Sequence, residues 1–484
     1  MIKRIRLVLA AVLTAVSAVV ALAAPSAAAD TAVPPSSAGQ RWALKVNGYY
    51  VTVYAGPDGD MKLRANPDAA EAKGWELFTL HTDYVEEVKR YGTTVSFRSE
   101  ATGNYVTAED DASGALLRTR GTTTGSWERF KLTPLSGGAF GLLAHNGKYV
   151  AAELGSYPDY GLLRARTSVS DPAGLGSWER FTLEQIGPEG AYTANMPAPT
   201  AQAPRARDVV SWNVCANNNP DPDCDLKYAP PATVADDVST ALHAAMGTRR
   251  PDAIFFQEIC EKSAKPLELK LEGWAGPLDV RFMPTYYNVA TASDGTVVRA
   301  QKNCSDGTDH VDRGAFGIAL AVPDSNTWYQ GTVLPSPSGK EQRPMLCAVV
   351  PAEGSAYCNA HFSSGPYIDS NGKLAGDDTD PDNLFRPKQA AKMRGSVDTL
   401  TAGGYTTYYG GDLNTATKDV GYLDRLYPDH QECGQPTPTS PHTGAATDGG
   451  NKIDYIFGPQ GRTYACSVVD GGLSDHKMIN LTTS

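Results

Sequence analysis

Apolar and polar positions follow two different patterns along the chain, and the change comes near residue 205. Residues 41–186 show short apolar segments between turn residues and no helical period, which predicts an all-β unit. Beyond residue 205, residues 208–212 form a mainly apolar segment and residues 253–256 a continuous apolar run, and between them apolar residues recur at helical spacing. This strand–helix–strand start predicts an α/β sandwich over residues 207–484. Further strands are predicted at residues 316–322, 345–350, 356–361, 405–409 and 453–457, and a second helix at about residues 387–400.

Residues 41–186 contain three copies of one pattern. In each copy a turn of Asn and Gly precedes a Tyr-Val strand, a Leu-Arg strand follows, and a Trp-Glu-x-Phe segment closes the unit. The closing segments begin at Trp75, Trp127 and Trp178, and we expect these tryptophans and their Phe partners to be core residues. The threefold pattern resembles the β-trefoil fold and is similar to its fascin-like branch. This resemblance implies an accessory domain that binds a surface, a carbohydrate or a protein ligand.

Two further segments have compositions unlike a folded core. The first residues are basic, then apolar and then small, which predicts a signal peptide over residues 1–29. The apolar run is long enough for a membrane anchor if it stays uncleaved. Otherwise we expect a secreted, extracellular protein with no membrane span. Residues 187–206 are rich in Pro and Ala, which predicts a linker that neither packs a core nor forms regular structure.

Composition and charge limit the class of protein. With 20% charged and 41% hydrophobic residues among 484, the chain is not wholly disordered, collagenous or a multi-span membrane protein. The formal net charge is −11, and residues 205–484 carry 24 basic and 34 acidic side chains. We therefore expect no polybasic surface that holds nucleic acid or anionic lipid unaided.

All eight cysteines lie beyond residue 204, and in an exported protein they predict up to four disulfides. Cys215 and Cys224 are near enough in sequence to close one short loop. Cys347 and Cys358 flank a turn whose strands would bring them together. A zinc site is the alternative, but the chain has no CxxC spacing.

Chemically reactive side chains stand where the predicted strands of the second half end. Oxygen ligands of this kind hold Mg²⁺ or Ca²⁺, and Asp and His side chains transfer protons near neutral pH. One such residue occurs by chance in many proteins, but the whole set in this order is specific. Its members are Asn213, Glu258, His361, Asp412, Asn414, Asp454, Asp475 and His476.

This set resembles the endonuclease/exonuclease/phosphatase superfamily, whose deoxyribonuclease I-like fold packs two β-sheets face to face between helices. The resemblance covers residues 207–484 and implies a role for each residue. Asn213 and Glu258 would bind a divalent metal, Mg²⁺ or alternatively Ca²⁺ or Mn²⁺, with Asp475 close to it. Asp412 and Asn414 would orient water and phosphate, His361 and His476 would flank the scissile bond, and Asp454 would orient His476. Arg343 would contact phosphate, or alternatively pair with Glu341.

The resemblance implies a secreted, metal-dependent phosphodiesterase, and a deoxyribonuclease I-like endonuclease acting on nucleic acid is our first interpretation. A sphingomyelin or phospholipid phosphodiesterase and an inositol-type phosphatase are the alternatives with the same chemistry. The acidic insertion at residues 363–383 does not look like a membrane wedge, which counts against a lipid substrate. A non-catalytic binding protein is the alternative of another class. We expect a monomer in which removal of residues 41–186 leaves cleavage of a soluble substrate nearly unchanged.

Overall fold

The computed structural model describes most of the chain beyond residue 40. The predicted signal peptide, most of the predicted linker and most of the acidic insertion at residues 363–383 lie outside the described residues. The described residues are 41–55, 60–82, 84–85, 90–91, 94–109, 114–155, 160–186, 196–200, 205–217, 221–306, 310–365, 367–368, 374–375, 385–417, 421–435 and 443–484.

Short strands joined by turns make up the described part of residues 41–186, as the sequence predicts. Within β2, Val51 and Val53 are buried while Thr52 between them is less so, which is the alternation of a strand with one face on a core. The strands are β1 (Arg41–Val46), β2 (Tyr49–Tyr54), β3 (Lys62–Asn66), β4 (Leu77–Thr82), β5 (Tyr84–Val85), β6 (Arg90–Tyr91), β7 (Thr94–Ser99), β8 (Tyr105–Ala108), β9 (Leu117–Gly121), β10 (Phe130–Pro134), β11 (Phe140–Leu143), β12 (Tyr149–Ala152), β13 (Leu163–Thr167) and β14 (Phe181–Ile186).

Six of these strands pair in a closed antiparallel ring around the core of the first half. β1 pairs with β14 and β4, β4 with β7, β7 with β10, β10 with β11, and β11 with β14. Each copy of the sequence pattern adds one hairpin to its two ring strands: β2–β3, β8–β9 and β12–β13. The threefold sequence pattern therefore corresponds to a threefold arrangement of strands.

The three tryptophans of the repeats are exposed, so the expectation that they lie in the core is wrong. Trp75, Trp127 and Trp178 are 43%, 44% and 37% exposed. Each precedes its strand instead of belonging to it, and only the Phe three residues later points inward. Those phenylalanines are Phe78, Phe130 and Phe181, and all three are buried.

The glutamate after each tryptophan explains why the motif recurs. Oε1 of Glu128 accepts a hydrogen bond from the Thr107 hydroxyl at 3.0 Å, and Oε2 accepts one from the Gly125 amide at 2.7 Å. Glu76 and Glu179 each bind a threonine hydroxyl and a backbone amide three residues earlier in the same way. The carboxylate ties the loop before each closing strand to a hairpin strand, and a side chain with two acceptor oxygens is needed for both bonds.

The described part of the second half contains two six-stranded sheets, two further pairs of strands and three α-helices. The strands are β15 (Asp208–Asn213), β16 (Ala253–Cys260), β17 (Leu278–Pro284), β18 (Tyr286–Thr291), β19 (Val297–Lys302), β20 (Phe316–Pro323), β21 (Trp328–Val333), β22 (Pro344–Val350), β23 (Ser355–His361), β24 (Tyr367–Ile368), β25 (Leu374–Ala375), β26 (Thr406–Asp412), β27 (His430–Glu432), β28 (Asp454–Pro459), β29 (Tyr464–Val469) and β30 (Met478–Thr483), and the helices are α1 (Pro231–Met246), α2 (Glu261–Ala275) and α3 (Phe385–Ala402).

The two sheets pack face to face between helices, which gives four layers. One sheet has the order β17-β20-β16-β15-β30-β29 and the other β21-β22-β23-β26-β28-β27. Phe255 and Leu320 of the first sheet share a core with Leu346 and Ile456 of the second. Helices α1 and α2 cover the outer face of the first sheet, and α3 covers that of the second. None of the described helices has the length and apolar character that crossing a bilayer requires.

All eight cysteines pair in four disulfides. The two pairs expected from the sequence, Cys215–Cys224 and Cys347–Cys358, are both formed. The other two are Cys260–Cys304 and Cys433–Cys466, which join residues 44 and 33 positions apart. Such bonds form and persist in oxidising compartments, so the pairing is consistent with an extracellular protein.

The two halves are in direct contact. Strand β19 of the second half pairs in parallel with β4 of the first, with Gln301 opposite His81. Part of the predicted linker also packs on the second half, because Met196 lies against the core under α3. The described residues 196–200 form no helix or strand, as expected, but the expectation that the linker packs on no core is wrong at Met196.

Candidate functional site

The strand ends of the second half bring the predicted site residues together. β15 and β16 run parallel, so Asn213 and Glu258 meet at one edge of the first sheet. In the second sheet β23 and β26 run parallel with His361 opposite Asp412, and β28 begins at Asp454 opposite that same aspartate. Because the sheets are stacked, both sets of strand ends open on one side of the sandwich.

Gly411 explains why His361 and Asp412 can lie side by side. Its backbone has φ +125°, a conformation that side chains rarely adopt, and an added Cβ would stand 2.0 Å from the carbonyl oxygen of Ala360. Only glycine lets β26 approach β23 this closely just before the aspartate.

Asp412 is the centre of the site. Its Oδ2 lies 3.1 Å from Nδ2 of Asn213, 3.4 Å from Nε2 of His361 and 3.9 Å from Nε2 of His476. Burial alone would raise the pKa of Asp412, but the hydrogen bond and charge of His361 and the charge of His476 lower that pKa below its ordinary value. The carboxylate is therefore ionised between two imidazoles.

His476 and Asp454 form a buried pair behind this carboxylate. Nδ1 of His476 lies 2.9 Å from Oδ2 of Asp454, which leaves Nε2 facing Asp412. Burial alone would lower the pKa of His476, but the Asp454 carboxylate and its hydrogen bond raise that pKa well above its ordinary value. Asp412, Asp454 and His476 each place a ligand atom within 4.8 Å of the others, but this histidine is bound to a carboxylate and is suited to proton transfer.

Glu258 projects into the site from an irregular position in its strand. The register of β16 on β20 shifts between Phe256 and Ile259, and Glu258 has φ +53°, which is uncommon outside glycine. Its side chain is 22% exposed, and its Oε1 lies 3.9 Å from Nε2 of His361. A strained, partly exposed carboxylate next to buried histidines is typical of a functional position.

Asn213 supports its neighbours through its amide. Its Nδ2 donates to Oε1 of Glu258 at 3.3 Å and to Asp412, while its Oδ1 accepts a hydrogen bond from the backbone amide of Cys215 at 3.0 Å. In this orientation Nδ2 of Asn213 faces the two carboxylates, and its Oδ1 faces the backbone of Cys215.

Asp475 lies at the partly exposed edge of the site. Its Oδ1 accepts a hydrogen bond from the Ser474 hydroxyl at 3.2 Å. Burial raises the pKa of Asp475 to about 6; the charge of His476 opposes this, and the charges of Glu258 and Asp448 add to it. The nearby sulfurs of Cys215 and Cys224 are bonded to each other and cannot act as ligands.

The oxygen donors at this edge fit a hard divalent cation. Glu258 and Asp475 are carboxylates that are not neutralised by a direct ion pair with Lys or Arg among the described contacts, and each feels the charge of the other. A divalent cation between them would offset that repulsion and would be bound by the oxygen ligands it prefers.

Asn414 and Arg343 each contact residues at the end of β23 or β26. Nδ2 of Asn414 donates to the Phe362 carbonyl at 3.0 Å, and the Asn414 amide donates to Asp412 at 2.9 Å. Nη1 of Arg343 lies 3.1 Å from Nδ1 of His361, and its Nη2 lies 3.3 Å from Oε2 of Glu341. Arg343 therefore pairs with Glu341, which was the alternative expected from the sequence, and it also contacts His361.

Several residues that support the site have no recognisable pattern in the sequence. Oγ1 of Thr447 accepts hydrogen bonds from the amides of Ile453 and Asp454, and Asp448 lies close enough to His476 and Asp475 to affect their charge. Both belong to a loop before β28 that has no strand or helix pattern. Lys302, which binds Glu341, comes from a hairpin that was not predicted.

Comparison with known proteins identifies the second half. The model of the family described as "Endonuclease/Exonuclease/phosphatase family" matches residues 210–476, which is more than half of the chain. No curated protein matches the chain. The two sheets and few helices, taken with the family match, fit the deoxyribonuclease I-like fold.

Several solved structures are similar to this chain. Truncated Caenorhabditis elegans TDP2 is 15% identical, with 57% of this chain and 97% of that chain covered and a TM-score of 0.37. The human nocturnin catalytic domain with bound sulfate anion is 14% identical, covering 58% and 93%, with a TM-score of 0.37. D. rerio TDP2 complexed with single strand DNA product is 15% identical, covering 58% and 99%, with a TM-score of 0.35.

Proposed function

Because the chain belongs to the endonuclease/exonuclease/phosphatase family, we propose that it is a secreted, metal-dependent phosphodiesterase of the deoxyribonuclease I-like endonuclease type. The observation that carries the proposal is the position of Asp412. One carboxylate lies between two histidines, and the second of these, His476, is held by Asp454. Phosphodiester hydrolysis needs one group that accepts a proton from water and one that donates a proton to the leaving oxygen, and this arrangement supplies both.

The described contacts support a division of roles among these residues. Asp412 is ionised and can orient an attacking water by accepting a hydrogen bond from it, while His361 beside it can accept the proton. His476 is protonated at neutral pH because of Asp454, so it can donate to the phosphate or to the leaving oxygen. Arg343 contacts His361 and can bind a phosphate oxygen. Asn414 fixes the loop after β26 and so orients Asp412 and the substrate.

A divalent cation completes the proposed site. Asn213, Glu258 and Asp475 would hold it, and Asn213 also donates a hydrogen bond to Glu258. When bound, such an ion masks phosphate charge and polarises the phosphoryl oxygens. Enzymes of this family typically use divalent metals, and Mg²⁺ is our first choice, with Ca²⁺ or Mn²⁺ as alternatives.

DNA is the proposed substrate, and the charge of the second half predicts how it is bound. With 24 basic and 34 acidic side chains in residues 205–484, few phosphate contacts are available beyond the site itself. We expect cleavage of low affinity and little sequence preference, driven by local contacts to the scissile phosphate.

We also propose that residues 41–186 form a β-trefoil of the fascin-like branch that binds a carbohydrate or a protein on a surface. The closed ring of six strands with three hairpins supports the fold. In this proposal the protein is a secreted monomer, and the four disulfides support an extracellular location.

The test is an incubation of the purified protein with plasmid DNA in Mg²⁺, with and without Ca²⁺, beside an EDTA control and His476→Ala. A matched control is His243→Ala, because His243 is exposed and only stacks on Trp274. Nicking that needs metal and His476 but not His243 supports the proposal.

Two other substrates are tested in parallel. Cleavage of sphingomyelin vesicles in place of DNA would indicate a lipid phosphodiesterase, and release of phosphate from an inositol phosphate would indicate a phosphomonoesterase. Inactivity on all three substrates would favour a non-catalytic binding protein.

A further inference from the structure

The hairpin β18–β19 belongs to the second half in sequence but packs with the core of the first half. Strand β19 continues the sheet of the first half through its pairing with β4. Its apolar side chains are buried among those of the strand ring. The hairpin residues in that core are Tyr287, Val289, Ala292, Val298 and Ala300. The first half therefore supplies the packing that holds this hairpin in place.

The residue after β19 fixes the hairpin to the first half at its end near the site. The amide of Asn303 donates to the carbonyl of Thr82 at 3.1 Å, and its Oδ1 lies 2.6 Å from Nδ1 of His81. Nε2 of the same buried histidine lies 3.0 Å from the Thr79 hydroxyl. His81 is thus fixed on both sides, and it fixes Asn303.

Lys302, the last residue of β19, begins a buried chain of charges that ends in the active site. Its Nζ lies 2.5 Å from Oε1 of Glu341, and Oε2 of Glu341 lies 3.3 Å from Nη2 of Arg343. Arg343 in turn contacts His361. All four residues are at most 8% exposed. Burial alone would raise the pKa of Glu341, but Lys302 and Arg343 lower it to about 2, so the carboxylate is ionised between two cations.

Cys304 links the same segment to the metal-binding side of the site. It forms a disulfide with Cys260, which lies two residues after Glu258 in β16. Three consecutive residues therefore contact three different parts of the protein. Lys302 binds Glu341, which pairs with Arg343 next to His361. Asn303 is hydrogen-bonded to the first half, and Cys304 is disulfide-bonded to the strand that carries Glu258.

We propose that the first half is a structural part of the active site, and that Lys302 and Glu341 are positioning residues that hold Arg343 against His361. This inference rests on the proposed function, because Arg343 and His361 are assigned to the site there. It replaces the expectation from the sequence that residues 41–186 can be removed with little effect on cleavage. A displacement of about 1 Å at a catalytic group can cost about a hundredfold in rate, so loss of this support is expected to be measurable.

A double-mutant cycle in the full chain tests the proposal, with bis(4-nitrophenyl) phosphate as a small soluble substrate. Lys302→Met should lower kcat/KM about tenfold or more, and Lys302→Arg should restore most of the loss. In an Arg343→Ala background the same Lys302→Met change should cost less than about twofold, because the group it positions is gone. Equal losses in the two backgrounds would mean a general structural role and would overturn the proposal.

Two further variants test the connection to the first half and protect against misfolding. His81→Phe keeps an aromatic ring but loses the bond to Asn303, and its effect should also vanish in the Arg343→Ala background. Glu341→Gln is nearly isosteric and replaces Lys302→Met if the latter does not fold. The control is Arg207→Met, a buried cation paired with Asp252 and Glu353 at the opposite end of β15, about 20 Å from Asn213. If His81→Phe has wild-type activity, the proposal that the first half supports the active site is wrong.

A measurement that does not depend on catalytic activity, the NMR signals of His361, distinguishes failure of this inference from failure of the proposed function. If the wild-type protein cleaves no phosphate ester, the proposed function fails, but the imidazole NMR signals of His361 still report its contact with Arg343. Those signals should shift in Lys302→Met and His81→Phe and stay in place in Arg207→Met. Unchanged His361 signals in both variants would overturn the inference whatever the activity.

Discussion

Asp454 accepts a hydrogen bond from His476 at 2.9 Å, and within the described part of the chain its other oxygen, Oδ1, is buried without a hydrogen-bond partner. This carboxylate is therefore committed to one histidine. A buried acceptor left unsatisfied costs free energy, and such a cost is tolerated where the group has a function. We expect the protonation of His476, which this pair controls, to determine how the reaction rate depends on pH.

Asp454→Asn should lower kcat for DNA cleavage by about two orders of magnitude or more, because the neutral amide no longer keeps His476 protonated. The pKa of His476 is raised in the wild type, so its acid form persists above neutral pH and is lost as pH rises through that raised pKa. The variant should lose activity at a lower pH. Rate profiles against pH of the wild type, Asp454→Asn and the exposed control Asp398→Asn check this. An alkaline limb at the same pH in all three would contradict it.

Glu258→Gln should raise the Mg²⁺ concentration needed for half-maximal cleavage by about tenfold or more, since one charged oxygen of the proposed metal site becomes neutral. Addition of EDTA should abolish cleavage by the wild type. Glu272→Gln, a change of an exposed glutamate on α2, is the control and should titrate like the wild type. If Glu258→Gln shows the wild-type Mg²⁺ dependence with reduced kcat, the residue acts on the substrate and not on the metal.

Sequence patterns were sufficient for the parts of the fold that local periodicity determines. The apolar runs of β15 and β16 and the helical spacing of α1 are properties of neighbouring residues, so they were predicted within a few positions. The strand-end residues Asn213, Glu258 and His361 could be recognised because parallel strands bring their ends to one edge.

What the sequence did not reveal depends on contacts between distant residues. Helix α2 was missed because Pro266 interrupts its pattern, although the chain accommodates it within the helix. The hairpin β18–β19 was missed because its apolar face is covered by a different half of the chain. Lys302 could not be placed near Arg343 for the same reason, since nothing local marks a lysine that binds a buried glutamate 39 residues later.

In each repeat the tryptophan is exposed and the phenylalanine three residues later is buried, and this difference can be tested by measuring stability. Phe78→Ala should lower the free energy of unfolding by about 3–5 kcal/mol, because it opens a cavity in the core of the strand ring. Trp75→Ala should cost less than half as much, since this ring is 43% exposed. Thermal unfolding followed by circular dichroism measures both. A Trp75→Ala variant as unstable as Phe78→Ala would show that the ring is buried in solution.

The pair of Glu432 and Lys452 should make stability fall as pH rises from about 4.5 to about 8. Burial raises the pKa of Glu432 to about 8 from 4.5, although Lys452 lies 2.6 Å away and opposes this. A carboxyl with a raised pKa binds its proton more tightly in the folded state, so this stabilisation is complete below about pH 4.5 and is lost as pH rises through about 8. Glu432→Gln should flatten the fall in the unfolding midpoint across that range, and equal slopes in wild type and variant would contradict this.

The disulfides should differ in what they contribute to stability, because they close loops of different length. Cys260–Cys304 joins residues 44 positions apart and Cys215–Cys224 residues 9 apart. Loop-closure entropy then predicts that removing the longer bridge costs about 1.4 kcal/mol more. All four cysteines are buried, so Cys→Ala replacements in each pair leave cavities of similar size and the comparison isolates the loop. Unfolding midpoints of the two double variants provide the measurement, and a larger loss for Cys215 and Cys224 would show that local packing, not chain entropy, decides the contribution.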